Sequence, residues 1–471
     1  MTDGRHAVAY AEASSILARL DGRCAQMGVT RRHPVALECA QSVPGALALL
    51  YVLSREHDVV LLPELGEASK EAGTPRFIPS FCSHVVTASG AAGPGADSPE
   101  DGIAIAANEA FVEEPVIAGF QGPDLYLRTS GSTGIPKLAR MSHQKWLNNA
   151  QACVERWGLT AGDRLAVPVP IFHSYGFGAA FLPGLLAGAA MDFGSGGNIL
   201  NYLEREKTFD PTVGFLTPAL CDTFLSVRKV PRPYRLVVTA GDKVKRETMA
   251  GFEPRFGPLL NLYGSAEMGA VSSASPGDPP EQRLGTAGYP LGTIELRVEE
   301  TAAEIEAAAG ERVGLLQCRQ ENGLAGYLIQ DGGWRFEPRG DDDWFTTGDL
   351  ARLRADGYLE ILGRSGLSVK RDGLLVVFAD VEAAVERVEG VQRAVLVAAG
   401  ESQRGTRLVA VCLPHQTGEP PRPDDVRRRC FDLLPRYAVP DDVMIVDALP
   451  HLPSGKVDRR AVHDLVANAR R

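Results

Sequence analysis

The stretch TSGSTGIPK, residues 129–137, sets Thr129, Ser130, Gly131, Ser132, Thr133 and Gly134 side by side and closes with Pro136 and Lys137. Gly131 and Gly134 let the main chain approach a ligand closely, and successive N–H groups in such a loop form an anion-binding concavity. The hydroxyls of Thr129, Ser130, Ser132 and Thr133 can donate to phosphate oxygens, and Lys137 adds positive charge. These residues suit a phosphate cradle. They do not form the nucleotide loop in which Gly-Lys is followed by Ser or Thr, because Pro136 precedes the lysine and Leu138 follows it. A flexible Ser/Gly linker has similar composition. Against a linker, PDLYLRT just before the stretch has the pattern of a strand, and SHQKWLNNAQACVERWG after it has that of a helix capped by Ser142. Lysine is scarce in the chain, nine residues against 40 arginines, so a lysine inside a motif stands out.

The elements that must position this loop alternate in character. VPGALALLYVLSREH has amphipathic helical spacing and DVVLLPE reads as a short buried strand, which predicts α/β layers around a parallel sheet. Residues 86–102, VTASGAAGPGADSPEDG, read as a loop. DRLAVPVP, TVGFLTP and YRLVVTAG look like strands ending in turns. From about residue 285 to 362 the pieces become short and β-like (TIELRVEE, GLLQCRQ, GYLEILGR), which predicts a small β-rich subdomain. The patterns ADVEAAVERV, AVLVAAG, RLVAVCLP and DDVRRRCFDLL then predict a separate small α+β domain. The expected organisation is a large domain over 1–362, a hinge over 363–366 and a small mobile domain over 367–471.

Composition narrows the partners. At 471 residues and 44% hydrophobic content the chain can bury two or three cores. A net charge of -10 disfavours nucleic acid and anionic membrane surfaces and favours small molecules. The eight cysteines are scattered, without metal-ligand spacing, as expected of reduced thiols. No apolar run reaches the roughly 18 residues a span needs. A cytoplasmic protein without nucleic-acid or membrane partners is expected.

TSGSTGIPK resembles the signature loop of the acyl-adenylating superfamily: acyl-CoA synthetases, adenylation domains of peptide synthetases, and luciferases. Further segments resemble that family in its order: PIFHSYGFG (170–178), NLYGSAEMG (261–269), FTTGDLARLRADGYLEILGR (345–364), VKRDGLLVVFADVE (369–382) and LPSGKVDRR (452–460). The resemblance runs from about residue 125 to the end and is closest in type to stand-alone aryl- or fatty-acid ligases. It implies ATP-dependent activation of a carboxylic acid as an acyl-adenylate, with Mg²⁺, followed by transfer to the phosphopantetheine thiol of coenzyme A or of an acyl or peptidyl carrier protein. By the same resemblance, Thr129 to Lys137 hold the β- and γ-phosphates and Glu267 helps hold Mg²⁺. Tyr263, with Gly264 and Ser265, lies against the adenine, while Asp349 and Arg364 contact the ribose. Lys456 is the mobile lysine bridging carboxylate and α-phosphate, His173 gates the passage between acyl pocket and thiol tunnel, and Gly366 stands at the hinge.

The resemblance also places the acyl pocket at Phe172, Ser174, Tyr175, Thr239, Ala240, Gly241, Asp242 and Gly264. Amino-acid-activating relatives carry an acid just after the position of His173. Here Ser174 stands instead, and a buried ammonium without a partner is unfavourable. An aryl or short-to-medium aliphatic acid is expected, with Asp242 able to receive an amine elsewhere on the substrate. The family's hydroxyl before the motif glutamate is replaced by Ala266, and its hinge Asp or Lys by Gly366. These departures keep open an alternative, a degenerate protein that binds an adenylate or acyl ligand as a sensor or partner subunit.

Overall fold

The computed structural model describes residues 1–64, 76–90, 98–114, 117, 120, 122–129, 137–194, 199–242, 244–299, 309–320, 323–340, 343–371, 374–402, 405–416, 419–451 and 457–469. They divide into two compact units, Met1–Glu295 with Arg319–Trp344, and Leu296–Cys318 with Phe345–Arg471. The boundary expected at 363–366 lies inside the second unit.

The first unit holds two sheets. The apolar runs VALEC and VVLLP become the adjacent parallel strands Val35–Cys39 and Val59–Pro63 at the centre of an eight-stranded sheet. Both faces of such strands are covered, which is why their sequences do not alternate. The helix joining them, Val43–Ser54, starts where the Ser42 hydroxyl accepts the Gly45 N–H at 3.2 Å. The sheet is mixed rather than parallel throughout: His84–Ala88 pairs antiparallel with Ile103–Ala107, and Asp124–Thr129 antiparallel with Lys137–Ser142. The loop expected over 86–102 begins later than its composition suggests, since Val86, Thr87 and Ala88 are strand residues, and Pro99–Gly102 is a 3-10 turn. The outer strands of the sheet, Gly326–Gln330 and Trp334–Pro338, come from the stretch expected to form the β-rich subdomain. Leu328 and Trp334 are drawn there by burial against Val60, Phe81, Tyr126 and Leu138.

The second sheet orders Tyr289–Pro290, Gly269–Ser273, Leu259–Ser265, Leu236–Thr239, Val213–Leu216, Arg164–Ala166 and Ala190–Asp192. The three segments predicted to end in turns provide three of these strands. Apart from the end residues Glu295 and Arg319, the strands Glu295–Glu299, Arg312–Arg319, Phe345–Leu353 and Leu359–Arg364 belong to the second unit and form a four-stranded sheet. Ser368–Arg371, Leu374–Val377, Val391–Ser402, Gly405–Pro414 and Asp442–Ile445 form another, packed with the helices Phe378–Val385, Pro423–Leu433 and Arg459–Asn468. The architecture is thus α/β, with layered subdomains and an α+β C-terminal part. All eight cysteines are buried and free, and no helix among the described residues is long and apolar enough to cross a membrane.

Candidate functional site

Ser130 to Pro136, and with them Gly131, Ser132, Thr133 and Gly134, lie outside the described residues. Thr129 ends one strand, Lys137 begins the next, and the two are register partners, so both ends of the segment are pinned together. Lys137 in turn opposes Ile329 and Ala139 opposes Tyr327. Side chains alternate across a strand. Leu138 and Leu328 therefore point into the core, where they are fully buried, and Lys137 and Tyr327 share the opposite face. The Lys137 ammonium lies 5.8 Å from the centre of the Tyr327 ring.

Burial, reinforced by the charge of the Glu267 carboxylate, pushes the pKa of the Tyr327 phenol well up. Glu267 follows the strand Leu259–Ser265 in the turn to Gly269–Ser273. Gly264 is required at the irregular step in this pairing, because a Cβ there would come 2.2 Å from the Gly269 carbonyl oxygen. The Ser265 hydroxyl accepts the Met268 N–H at 3.1 Å, tightening the turn, and Tyr263 and Glu267 are half-buried on either side of it.

The helix His143–Trp157 lies beneath this turn. Its cap is the predicted one: the Ser142 hydroxyl accepts the Lys145 N–H at 3.1 Å, and Gly158 closes the other end at φ 57°. Its polar face fastens the neighbouring chain. The Lys145 ammonium donates to the Glu267 carbonyl at 3.3 Å, and Asn149 exchanges two hydrogen bonds with the Ala270 main chain at 2.6 and 2.9 Å. Arg156 reaches the Tyr289 and Pro290 carbonyls at 2.9 and 2.6 Å. Burial lowers the Lys145 pKa to about 7, opposed by the Glu267 charge. Sequence reasoning missed Lys145 and Tyr327. The scarcity of lysine marked Lys145, eight residues after Lys137, but its direction of projection is visible only in the fold.

No cluster of three or more His, Cys, Asp or Glu suited to a metal occurs among the described residues. Glu267 alone fits Mg²⁺ in its usual mode with nucleotides, one carboxylate completed by phosphate oxygens and water.

The acyl-pocket candidates surround a wide helical turn, Tyr175–Phe181, with π-type hydrogen bonding. The segment entering it is held by Gln41, whose amide donates to the Val167 carbonyl at 2.5 Å and accepts the Ile171 N–H at 2.8 Å. The Phe172 and His173 rings are 4.6 Å apart, with His173 exposed and Ser174 half-buried. The Tyr175 hydroxyl donates to the Leu216 and Val238 carbonyls at 3.1 and 2.8 Å, at the ends of two parallel strands. It offers the site its ring rather than its hydroxyl. Thr239 and Ala240 are buried, while Gly241, at φ 97°, and Asp242 are exposed.

In the second unit, Asp349 and Arg364 are register partners. The Arg364 guanidinium lies 2.9 Å from the Asp349 carboxylate and donates to the Thr347 carbonyl at 3.1 Å. Asp349 is buried, its N–H donating to the Thr347 hydroxyl at 3.1 Å, which itself donates to the Leu316 carbonyl at 3.0 Å. A buried carboxylate backed by a guanidinium and presented from a braced strand is suited to accept from vicinal hydroxyls. Gly366 lies in the exposed 3-10 turn Ser365–Leu367, where a Cβ would meet nothing within 4 Å. Lys456 lies outside the described residues.

Residues 121–328 match the family model described as AMP-binding enzyme, and residues 380–456 match the AMP-binding enzyme C-terminal domain. The chain is 28% identical over 356 residues to a salicylyl-CoA synthase / salicylate adenylyltransferase of a Streptomyces species, covering 73% of this chain and 63% of that protein. It is 27% identical over 342 residues to a sulfoacetate–CoA ligase of Cupriavidus necator, covering 72% and 66%. The chain thus spans slightly under two thirds of the length of these relatives. In fold it is similar to o-succinylbenzoate CoA synthetase of Bacillus subtilis in complex with its acyl-adenylate intermediate, at TM-score 0.78 and 19% identity, covering 98% of this chain and 94% of the other. ATP-bound MatB of Rhodopseudomonas palustris gives 0.76 and 22%, with 98% and 94% covered.

Proposed function

The chain belongs to the acyl-adenylating superfamily, and we propose that it couples ATP to the activation of a carboxylic acid and then passes the acyl group to coenzyme A. The observation that carries this reading is that Tyr327, in one unit, lies beside Lys137, the residue that follows the hydroxyl-rich segment, and feels the charge of Glu267. A cation and a carboxylate that share a neighbouring ring, beside a segment rich in glycine and hydroxyls, suit a nucleotide triphosphate and its divalent ion.

In the first half-reaction a carboxylate oxygen attacks the α-phosphorus, and pyrophosphate leaves with the electron pair of the broken P–O bond. Such transfers depend on positioning and charge neutralisation. In this reading Thr129 to Lys137 hold the terminal phosphates, Lys456 bridges the reacting groups, Tyr263 lies against the adenine, and Asp349 and Arg364 orient the ribose. Bound through Glu267, Mg²⁺ would supply further neutralisation. In the second half-reaction the thiolate attacks the acyl carbonyl and AMP departs, with His173 at the entrance.

The pocket has Ser174 where pairing with an α-ammonium needs a carboxylate, which favours an aryl or a short-to-medium aliphatic acid. The relatives named for salicylate and sulfoacetate lend support, since neither name denotes an amino acid. Their names also favour coenzyme A over a carrier protein as acceptor. The test is acid-dependent exchange of labelled pyrophosphate into ATP over a panel of aryl, aliphatic and amino acids, followed by thioester formation with coenzyme A. Exchange with an aryl or aliphatic acid is expected; exchange with none would favour a non-catalytic adenylate-binding protein.

A further inference from the structure

Lys145 is fully buried, and its ammonium has weak company for such a position. It lies 3.0 Å from the Met141 sulfur, 3.3 Å from the Glu267 carbonyl oxygen and 4.4 Å from the centre of the Trp146 ring. An ammonium has three donors, and burying it without strong acceptors is unfavourable where a methionine would fill the same space. The charge is accounted for by what it holds, the main chain of Glu267.

Asn149, one helical turn after Lys145, locks the chain just beyond at Ala270. Glu267 is therefore restrained at its carbonyl and three residues downstream, both from the helix that follows the strand of Lys137. We propose that Lys145 is a positioning residue that orients Glu267 as the divalent-cation ligand. This rests on the reading of the chain as an ATP-dependent acid ligase. Lys145 does not touch the reacting atoms; it acts by limiting the orientations Glu267 can adopt. Partners of this kind typically contribute 10- to 100-fold to metal affinity.

The test uses full-length Lys145→Met, which keeps the volume. Mn²⁺ binding is measured by electron paramagnetic resonance in the presence of a non-hydrolysable ATP analogue. The variant is expected to weaken Mn²⁺ binding by about tenfold, and to raise the Mg²⁺ concentration needed for pyrophosphate exchange by a similar factor. Thioester formation from a supplied acyl-adenylate, which needs no metal–triphosphate complex, should keep its wild-type rate. A folded variant that binds Mn²⁺ as tightly as wild type would overturn the proposal. So would an equal fall in both half-reactions, which would make Lys145 merely structural. Absence of both Mn²⁺–nucleotide binding and pyrophosphate exchange in the wild type would instead overturn the functional reading on which the proposal stands.

Discussion

His143 allows burial just after the strand Lys137–Ser142 to be weighed against acid. It is the first residue of the helix His143–Trp157, 6% exposed, and its N–H donates to the Pro123 carbonyl at 3.0 Å. Burial lowers its pKa from 6.5 to about 4, with the Asp124 main chain opposing and the charge of His57 assisting. Around it lie Asp58, whose pKa burial raises to about 6, and Asp124, which Arg140 binds at 2.7 Å. A lowered histidine pKa means that the unfolded chain binds a proton which the native chain refuses. Its contribution to stability is complete above about pH 6.5 and is lost as pH falls toward 4. At pH 5 the two pKa values give a penalty of about 2 kcal/mol, rising to about 3 kcal/mol at pH 4. His143→Leu removes that proton site. Whatever its packing effect at pH 8, the variant should gain about 2 kcal/mol relative to wild type on going to pH 5. Asp58, His57 and Asp124 remain in both proteins and largely cancel. Urea unfolding followed by tryptophan fluorescence reads the relevant unit, because all four tryptophans, Trp146, Trp157, Trp334 and Trp344, belong to it. A stability difference that stays constant within about 0.5 kcal/mol between pH 8 and pH 5 would refute the assignment of a buried, neutral imidazole.

Three further outcomes concern the reaction. Lys456→Ala should abolish acid-dependent pyrophosphate exchange while thioester formation from supplied acyl-adenylate survives; equal loss of both would point to unfolding instead. Gly366→Pro, which fixes φ near -65° in an exposed turn where an added Cβ meets nothing within 4 Å, should leave one half-reaction near normal and slow the other about tenfold, or about 1.4 kcal/mol. Comparable rates for both steps, from rapid-quench measurements, would place the pivot elsewhere. Ser174→Asp should raise the KM for the native acid in pyrophosphate exchange by leaving a half-buried carboxylate without a partner; a wild-type preference for a proteinogenic amino acid would contradict the pocket argument.

Lys137, Glu267 and Asp349 could be singled out from the chain because each stands in a short run of glycines and hydroxyls, and the order of those runs is itself informative. One central strand was equally legible, since VVLLP is too short and too uniformly apolar for an exposed element. Tyr327 was not legible. Its relation to Lys137 arises from a strand pairing across most of the first unit, which no local periodicity encodes. Lys145 was hidden for the opposite reason: on a helix of mixed polarity a lysine looks solvated, and only the Glu267 turn lying over it reverses that. The hairpin Gly326–Gln330 and Trp334–Pro338 looked like part of a β-rich subdomain by texture, and burial of Leu328 and Trp334 assigns it to the other sheet.

The placement of that hairpin bears on how the protein is made. Lys137–Ser142 gains its outer neighbour only when Gly326–Gln330 has emerged, with Lys137 opposite Ile329 and Arg140 opposite Gly326. At 5–20 residues per second, the roughly 190 intervening residues take about 10–40 s to synthesise. Throughout that interval a nascent chain carries the strand that opens with Lys137 as an unprotected sheet border, with Leu138 lacking the cover that Leu328 later provides. Such a border invites pairing with other chains. Slowing translation between residues 142 and 326 should therefore lower the soluble yield more than slowing it after residue 344, by which point the sheet's last strand has been made.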